Sequence, residues 1–282
     1  MAIIEAIQKL SNPVLDWLMR IITETGDVLA FIILGVILFW CIDKKTAYKL
    51  MTTLLFSAGL NGAIKNFTQK PRPYEEGAKP ILQKTEGSSM PSGHSQNITT
   101  AATFMVYEYR KVNWVKWTFI ALAILVPFSR MYLGQHYLED VLVGMALGLV
   151  IGILGLVLYS RLPDKEEYVG LALAPALILL MIFIPEHQVF VSGGAYIGLV
   201  TGYLLEKKYI GYDTKAPLKI QIFKVLIGLG VTLALYFGLK LLFKLIGEYN
   251  ILDAIRYFFV AFWASLGAPA LFKKIFKQEI ET

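Results

Sequence analysis

Long apolar runs, separated by short polar segments, constrain the fold of this chain more than any other feature of its sequence. A helix that crosses the hydrocarbon core of a bilayer needs about 20 mostly apolar residues, and it satisfies its own backbone hydrogen bonds. The pattern therefore predicts an all-α, polytopic helical membrane protein. The nine runs interpreted as spans are 27–42, 47–64, 95–109, 114–130, 138–160, 168–185, 190–205, 219–245 and 251–272.

Composition and charge agree with a membrane protein and exclude other classes. Hydrophobic residues make up 56% of the chain and charged residues 17%, whereas soluble domains are about 45–50% apolar and about 25% charged. The Lys and Arg residues behind the net charge of +6 lie at the ends of apolar runs, which argues against a nucleic-acid-binding face. Cys41 is the only cysteine, so neither an intrachain disulfide nor a cysteine metal site is expected.

Positive residues cluster in every second loop, with clusters that begin at Lys44, Arg110, Arg161, Lys207 and Lys273. Because such loops remain in the cytoplasm, nine spans predict an N-terminus outside and a C-terminus in the cytoplasm. The exoplasmic side then contains positive residues that this rule does not explain, and an anion site would explain them. These residues are Lys65, Lys70, Arg72, Lys79, Lys84 and Arg130.

The segment 1–25 is amphipathic, with apolar residues at helical spacing and an interruption near Asn12-Pro13. The pattern predicts one or two short helices that lie in the membrane interface, with a poor first span as the alternative. No cleavable signal peptide is expected, because charged residues are spread along the whole segment.

The stretch Met90-Pro91-Ser92-Gly93-His94 ends the longest polar segment and directly precedes an apolar run. The first N–H groups of a helix have no intrahelical partner and carry positive partial charge. Gly93 would let an anion approach that backbone, Ser92 adds a donor, and His94 adds a proton source near neutral pH. The stretch therefore predicts a phosphate cradle, although an ordinary turn into a helix has the same pattern.

Two further groups flank this stretch at defined spacing. Lys65 stands seven positions before Arg72, and Arg130 stands six before His136, which is followed at four positions by Asp140. The nine-span topology places both groups at the same membrane face as the Pro-Ser-Gly-His stretch. Three cations there can bind the oxygens of a phosphoryl group, and the planar arginine fork binds two oxygens at once.

The histidines supply the chemistry that such a site needs. On a helix His136 and Asp140 would share a face, so the carboxylate is expected to accept the Nδ1 proton and leave Nε2 free as a nucleophile. His94 can protonate the leaving oxygen. Three cations and a helix N-terminus can stabilise the developing charge, so no metal or cofactor is expected.

Each of these residues also has a structural interpretation when it is taken singly. Lys65 and Arg72 could anchor helices at the interface, Asp140 could be a charge at a helix start, and His136 a satisfied interfacial residue. Together at one membrane face they favour function, because ionisable residues at membrane depth are costly. His187 is interpreted as a solvated turn residue.

Two sets of glycines recur at every fourth position and predict faces for close helix packing. They are Gly144, Gly148 and Gly152, and Gly194, Gly198 and Gly202.

In these residues the chain resembles the type 2 phosphatidic acid phosphatase superfamily, which includes bacterial lipid phosphatases, glucose-6-phosphatase and vanadium haloperoxidases. The boxes of that family are Lys-x6-Arg-Pro, Pro-Ser-Gly-His and Ser-Arg-x5-His-x3-Asp. They stand here in order at 65–73, 91–94 and 129–140, without departure in spacing or identity.

The resemblance implies a phosphohistidine on His136, orientation of that histidine by Asp140, and protonation of the leaving group by His94. It implies no divalent metal. The residues that it implies for phosphate binding are Lys65, Arg72, Ser92, Gly93 and Arg130.

The resemblance covers about residues 25–160 and suggests three segments. Residues 1–25 form the amphipathic start, 26–162 the catalytic membrane core, and 163–282 an extension of about four further transmembrane helices. A dimer face, a substrate groove and a second domain are all compatible with that extension.

The expected function is hydrolysis of a lipid phosphate or diphosphate at the outer leaflet, with the loop 74–89 shaping specificity. Hydrolysis of a soluble sugar phosphate is the alternative enzyme, and a non-catalytic transporter or lipid-binding protein is the alternative of another class. A haloperoxidase is disfavoured because those relatives are soluble. The expected partners are the lipid substrate and the bilayer, with a homodimer left open.

Overall fold

The computed structural model describes residues 1–276 and is built from helices. The α-helices are α1 Ala2–Gln8, α2 Pro13–Glu24, α3 Val28–Ile37, α4 Lys44–Thr68, α5 Gly93–Glu108, α6 Asn113–Tyr132, α7 Leu138–Arg161, α8 Glu166–Phe183, α9 His187–Leu205, α10 Leu218–Lys244, α11 Asn250–Phe262 and α12 Ala268–Ile275. Short π-helical stretches follow α3, α9 and α11, at Leu38–Ile42, Glu206–Ile210 and Trp263–Gly267. The predicted all-α class is confirmed.

Within the described residues, six helical segments are long and apolar enough to cross a membrane. They are Asn113–Tyr132, Leu138–Arg161, Glu166–Phe183, His187–Ile210, Leu218–Lys244 and Asn250–Ile275. A bent pair, Pro13–Glu24 with Val28–Ile42, would be a seventh with a bend of 52°. The last four lie in the predicted C-terminal extension, so its expected number of spans is confirmed.

The prediction of nine spans is larger than the structure supports by length and hydropathy. The run 47–64 lies within α4, and the run 95–109 ends one residue beyond α5, but neither helix meets that criterion. Both bury polar side chains, such as Thr52 and Asn61 on α4 and Gln96 on α5. The orientation inferred from nine spans therefore stays a prediction.

The described chain divides into two compact units. The first consists of Met1–Phe31 and Leu60–Val157, and the second consists of Ile32–Gly59 and the residues from Leu158 onward. The three segments predicted from the sequence follow a different division and stay a prediction.

The N-terminal segment of the first unit forms the two short helices that were predicted. The side chain of Asn12 caps α2 by accepting a hydrogen bond from the Leu15 backbone N–H at 3.0 Å, and Pro13 occupies the first helical position. Met19 of α2 is buried in a cluster with Tyr132 at the end of α6. The segment is thus packed onto α6 by apolar burial.

Both glycine sets form close helix contacts, as predicted. In the first unit, a Cβ on Gly148 of α7 would stand 2.3 Å from the Gln96 carbonyl oxygen of α5. In the second unit, a Cβ on Gly198 of α9 would stand 2.2 Å from the Phe258 carbonyl oxygen of α11. Real Cβ atoms do not approach a backbone oxygen so closely, so only glycine permits these helix separations.

We predict that Gly198→Ala lowers the free energy of unfolding by about 1–3 kcal/mol, because the new methyl group must push α9 and α11 apart. Thermal unfolding in detergent, followed by circular dichroism, measures the change. Gly230→Ala on α10 is the matched control, since a Cβ there meets nothing within 4 Å. Equal transition temperatures for the two variants would contradict the packing interpretation.

Candidate active site

The first unit brings all three sequence boxes to one place. His136, between α6 and α7, experiences the charges of Arg130, Arg72, Lys65 and His94. Contacts join the boxes directly: the His136 Nε2 atom lies 3.5 Å from Arg72 Nη1. The Ser92 backbone N–H also donates to the Asp140 carbonyl oxygen at 3.0 Å.

The Pro-Ser-Gly-His stretch opens a helix, as its sequence predicts. Ser92 is the N-cap of α5, and its buried hydroxyl oxygen accepts from Ser95 Oγ at 2.9 Å and faces the Ser95 N–H at 3.5 Å. Because Ser95 is the donor in both contacts, the Ser92 hydroxyl proton remains available for another acceptor. A Cβ on Gly93 would approach Asn61 Oδ1 at 3.4 Å, so the turn is closely packed.

His136 is buried, and its ring is fixed by a backbone atom. The Nδ1 atom lies 2.7 Å from the Ser89 carbonyl oxygen. A carbonyl oxygen only accepts hydrogen bonds, so it places the imidazole proton on Nδ1 and leaves the lone pair on Nε2. This is the tautomer that a nucleophilic Nε2 requires.

The prediction that the Asp140 carboxylate accepts the Nδ1 proton of His136 is wrong. The Asp140 Oδ2 atom lies 3.9 Å from Nδ1, which is too far for a hydrogen bond. Helical spacing does not apply to this pair, because α7 begins at Leu138 and His136 precedes it. The carboxylate accepts instead from the Ser89 hydroxyl, from Lys70 Nζ at 2.7 Å and from the Tyr137 N–H at 2.9 Å.

The environment of His136 favours its neutral form. Burial, and then the positive charges of Arg130, Arg72 and Lys65, lower the pKa of His136 well below 6.5. Its imidazole is therefore unprotonated at neutral pH.

Arg72 is oriented by neutral oxygens of the polypeptide backbone. Its Nε, Nη2 and Nη1 atoms donate to the carbonyl oxygens of Gly87, Glu86 and Gln135, at 3.0, 3.2 and 3.3 Å. The first two acceptors belong to the loop 74–89, so this loop positions a cation of the site. Because the acceptors carry no formal charge, the guanidinium keeps its full positive charge for an anion.

Arg130 is buried at the end of α6 and donates from Nη1 to the Thr23 hydroxyl at 3.1 Å. Its Nε atom is also buried and has no hydrogen-bond partner within the described part of the chain. An unsatisfied buried donor on a cation fits an anionic oxygen in this site.

Sequence reasoning did not identify four residues that contact the site. Lys70 binds Asp140, Ser89 binds both His136 and Asp140, Thr23 accepts from Arg130, and Asp27 faces His94. Lys70 was noted only as an unexplained positive charge, whereas Thr23 and Asp27 belong to no recognised box.

No group of three or more His, Cys, Asp or Glu side chains between residues 1 and 276 is arranged to hold a metal ion. The site combines a buried imidazole whose Nε2 is unprotonated with guanidinium groups held by neutral acceptors. Such an arrangement can bind a tetrahedral oxyanion and attack its central atom.

Two family models match the chain. One describes the PAP2 superfamily and matches residues 46–164, which include every predicted site residue. The other describes the PAP2 superfamily phosphatase transmembrane extension and matches residues 190–279.

Proteins with similar sequences include lipid phosphatases of a plant and of a bacterium. Lipid phosphate phosphatase delta of Arabidopsis thaliana is 26% identical over 84% of this chain and 65% of its own length. Undecaprenyl-diphosphatase BcrC of Bacillus subtilis is 30% identical over 54% of this chain and 80% of its own length. Phosphatidylglycerophosphatase B of the same bacterium is 31% identical over 53% of this chain and 78% of its length.

Among solved structures, the crystal structure of Aquifex aeolicus LpxE is similar with a TM-score of 0.50 and 25% identity. The similarity covers 55% of this chain and 93% of that one. It therefore extends over nearly the whole of that protein but only part of this chain.

We predict that Arg130→Met weakens the binding of inorganic phosphate by about tenfold or more, because a charge-assisted hydrogen bond is worth about 1.5–3 kcal/mol. Isothermal titration calorimetry of the detergent-solubilised protein measures the affinity. Arg110→Met removes an exposed arginine just beyond the C-terminal end of α5 and is the matched control. Equal phosphate affinity in both variants would remove Arg130 from the anion site.

Proposed function

Because this chain belongs to the PAP2 superfamily, we propose that it is a membrane phosphatase that hydrolyses a lipid phosphate through a phosphohistidine intermediate. The observation that carries the proposal is the placement of His136. Its Nδ1 atom is held by the Ser89 carbonyl, and its Nε2 atom faces Arg72 in a cluster of cations.

The relatives support a lipid as the substrate. By their names, those described above act on lipid phosphate, undecaprenyl diphosphate and phosphatidylglycerophosphate. The helices that carry Arg130 and Asp140 are both long and apolar enough to span a bilayer, so a headgroup at their ends could meet the site while its acyl chains stay in the bilayer. We extend the proposal to both phosphomonoesters and diphosphates.

In the first step, His136 Nε2 attacks phosphorus and the bond from phosphorus to the leaving oxygen breaks. His94, protonated, gives its proton to that oxygen, so the lipid leaves as an alcohol or, from a diphosphate, as a monophosphate. Lys65, Arg72 and Arg130 bind the phosphoryl oxygens, with the first N–H groups of α5 at Gly93. The proton on His136 Nδ1 stays there throughout and donates a hydrogen bond to the Ser89 carbonyl oxygen.

In the second step, water attacks the phosphohistidine and gives its proton to His94. The bond between phosphorus and Nε2 breaks, inorganic phosphate leaves, and both histidines regain their starting protonation states. The reaction therefore needs no group beyond the side chains and one water molecule.

We also propose that the active site faces the exoplasmic side and that the C-terminus is cytoplasmic. The support is the charge pattern of the loops, in which positive clusters such as Lys207-Lys208 and Lys273-Lys274 alternate with poorly charged loops. Accessibility of introduced cysteines to a membrane-impermeant reagent, after replacement of Cys41, tests this orientation.

We predict that His136→Ala lowers phosphate release by at least about 10³-fold, because the nucleophile is lost. Wild-type protein should release phosphate from phosphatidate, phosphatidylglycerophosphate or prenyl diphosphate in the presence of a chelator, and acid quench should trap a labile phosphohistidine. His187→Ala is the matched control, since His187 belongs to the second unit and pairs with Asp253 at 3.0 Å.

Full turnover by the His136→Ala protein would remove the histidine from its proposed role. Turnover of glucose phosphate with none of the lipids would replace the lipid substrate by a soluble one. No release from any substrate, with unfolding transitions like those of an active relative, would favour a non-catalytic protein.

The pH profile gives a further prediction. Since burial and cations hold the pKa of His136 well below 6.5, the acid limb of kcat/KM should lie below pH 6.5. Arg72→Met removes one of those cations, so the pKa should rise and the acid limb should move to higher pH, in addition to any loss of rate. Profiles of kcat/KM from pH 4 to 8 measure this, and an unshifted limb would contradict the assignment.

A further inference from the structure

The residues from Thr23 to Asp27, between α2 and α3, lie directly against the proposed catalytic groups. Thr23 accepts a hydrogen bond from Arg130, as described above. A Cβ on Gly26 would stand 2.6 Å from the Val126 side chain and 3.5 Å from His94 Cβ. The backbone here therefore approaches α5 and α6 as closely as a glycine permits, and it places the next residue, Asp27, beside His94.

The carboxylate of Asp27 makes two different contacts. Its Oδ1 atom accepts from the Leu29 backbone N–H at 3.0 Å, in the first turn of α3. Its Oδ2 atom lies 3.7 Å from His94 Nε2, a distance that suits an ion pair and exceeds a hydrogen bond. Capping thus uses one oxygen and leaves the other to face the imidazole.

The other charged groups around His94 are positive. Burial, and then the positive charges of Arg130, Lys65 and Arg72, lower the pKa of His94 well below 6.5, and His136 lies in the same cluster. Against these positive charges stands the carboxylate of Asp27, the one acidic group of the described residues that forms an ion pair with His94. Side-chain exposures of 40% for Asp27 and 24% for His94 place the pair where solvent and substrate can reach it.

We propose that Asp27 is a positioning residue that counters the surrounding cations, so that His94 can hold a proton, and directs that proton to the leaving group. This inference rests on the proposed phosphatase function, in which His94 must hold a proton among three cations. With Nε2 turned to Asp27, the Nδ1 proton is the one transferred to the leaving oxygen. The neutral imidazole then keeps its proton on Nε2, beside the carboxylate, and takes the proton of water back on Nδ1.

The test uses Asp27→Asn, which keeps the capping oxygen and the size of the side chain but removes the charge. We expect kcat/KM for a lipid phosphate to fall about tenfold or more, since general acid catalysis is worth about 10²–10⁴. The alkaline limb of the profile should move to lower pH. For p-nitrophenyl phosphate kcat/KM should change little, because p-nitrophenolate leaves without protonation.

The matched control is Asp43→Asn in the second unit. The Asp43 carboxylate caps α4 by accepting from the backbone N–H groups of Lys45 and Thr46, at 3.0 and 3.1 Å. It should leave the leaving-group dependence and the pH profile unchanged. An equal loss on both substrates in Asp27→Asn, with an unshifted profile, would assign Asp27 to capping alone and overturn the proposal.

A titration separates this proposal from the proposed function. The chain has three histidines, so ¹⁵N-histidine spectra of the whole protein in detergent contain three ring systems, assignable by substitution. In Asp27→Asn the His94 midpoint should move to lower pH while that of His187 stays in place. An unmoved His94 midpoint overturns the proposal, whether or not the wild-type protein hydrolyses phosphate esters.

Discussion

The constraint on which the site depends is the gathering of like charges around one imidazole. Two unit positive charges a few ångströms apart repel by roughly 1–4 kcal/mol, depending on the local dielectric, so a cluster of cations needs fixed partners. Arg72 finds them in three backbone carbonyls and Arg130 in the Thr23 hydroxyl. Neutral acceptors orient these groups, so no carboxylate of the described residues pairs with them directly and an anion can do so.

Lys70 shows the contrasting use of a cation. Its ammonium group lies 2.7 Å from both Asp140 Oδ1 and Glu139 Oε1, so its charge is balanced by carboxylates. The sequence contains these cations in similar contexts, and only their partners distinguish a lysine that holds the structure together from arginines that are poised for an anion. The positive residues of the first unit therefore have two different roles, structural ion pairing and anion binding, which a count of charges cannot tell apart.

The residues of the boxes could be predicted from the sequence because their spacing carries the chemistry. The partners of those residues could not be predicted in the same way. The acceptor of the His136 Nδ1 proton is a backbone atom of Ser89, and a carbonyl oxygen leaves no trace in residue identity. Asp27 is separated from His94 by 67 positions and belongs to no repeated pattern, so only the packing at Gly26 reveals the pair.

The prediction of nine spans was too high for a related physical reason. A helix that lines a polar site has polar residues on its inner face, as α5 does with Gln96, Asn97 and Thr100. Its mean hydropathy is then lower than that of a span that faces lipid all round, so hydropathy alone does not settle whether it crosses the bilayer. The helices α8 to α12 of the second unit have no such task, and their predicted runs agree with the structure. Sequence reasoning is therefore weakest in α4 and α5, whose inner faces are polar, and succeeds in α6 and α7, which also carry site residues.

The position of Asp140 explains how a carboxylate can serve the nucleophile without touching it. It binds the hydroxyl of Ser89, whose carbonyl in turn binds His136, so it orients the ring through one intervening residue. Lys70 balances its charge. A bare carboxylate on Nδ1 would favour the imidazolium, whereas a balanced one behind a neutral carbonyl orients the ring and lets the surrounding cations keep it unprotonated. The fold thereby holds an imidazole ready for attack amid the charges that bind its target.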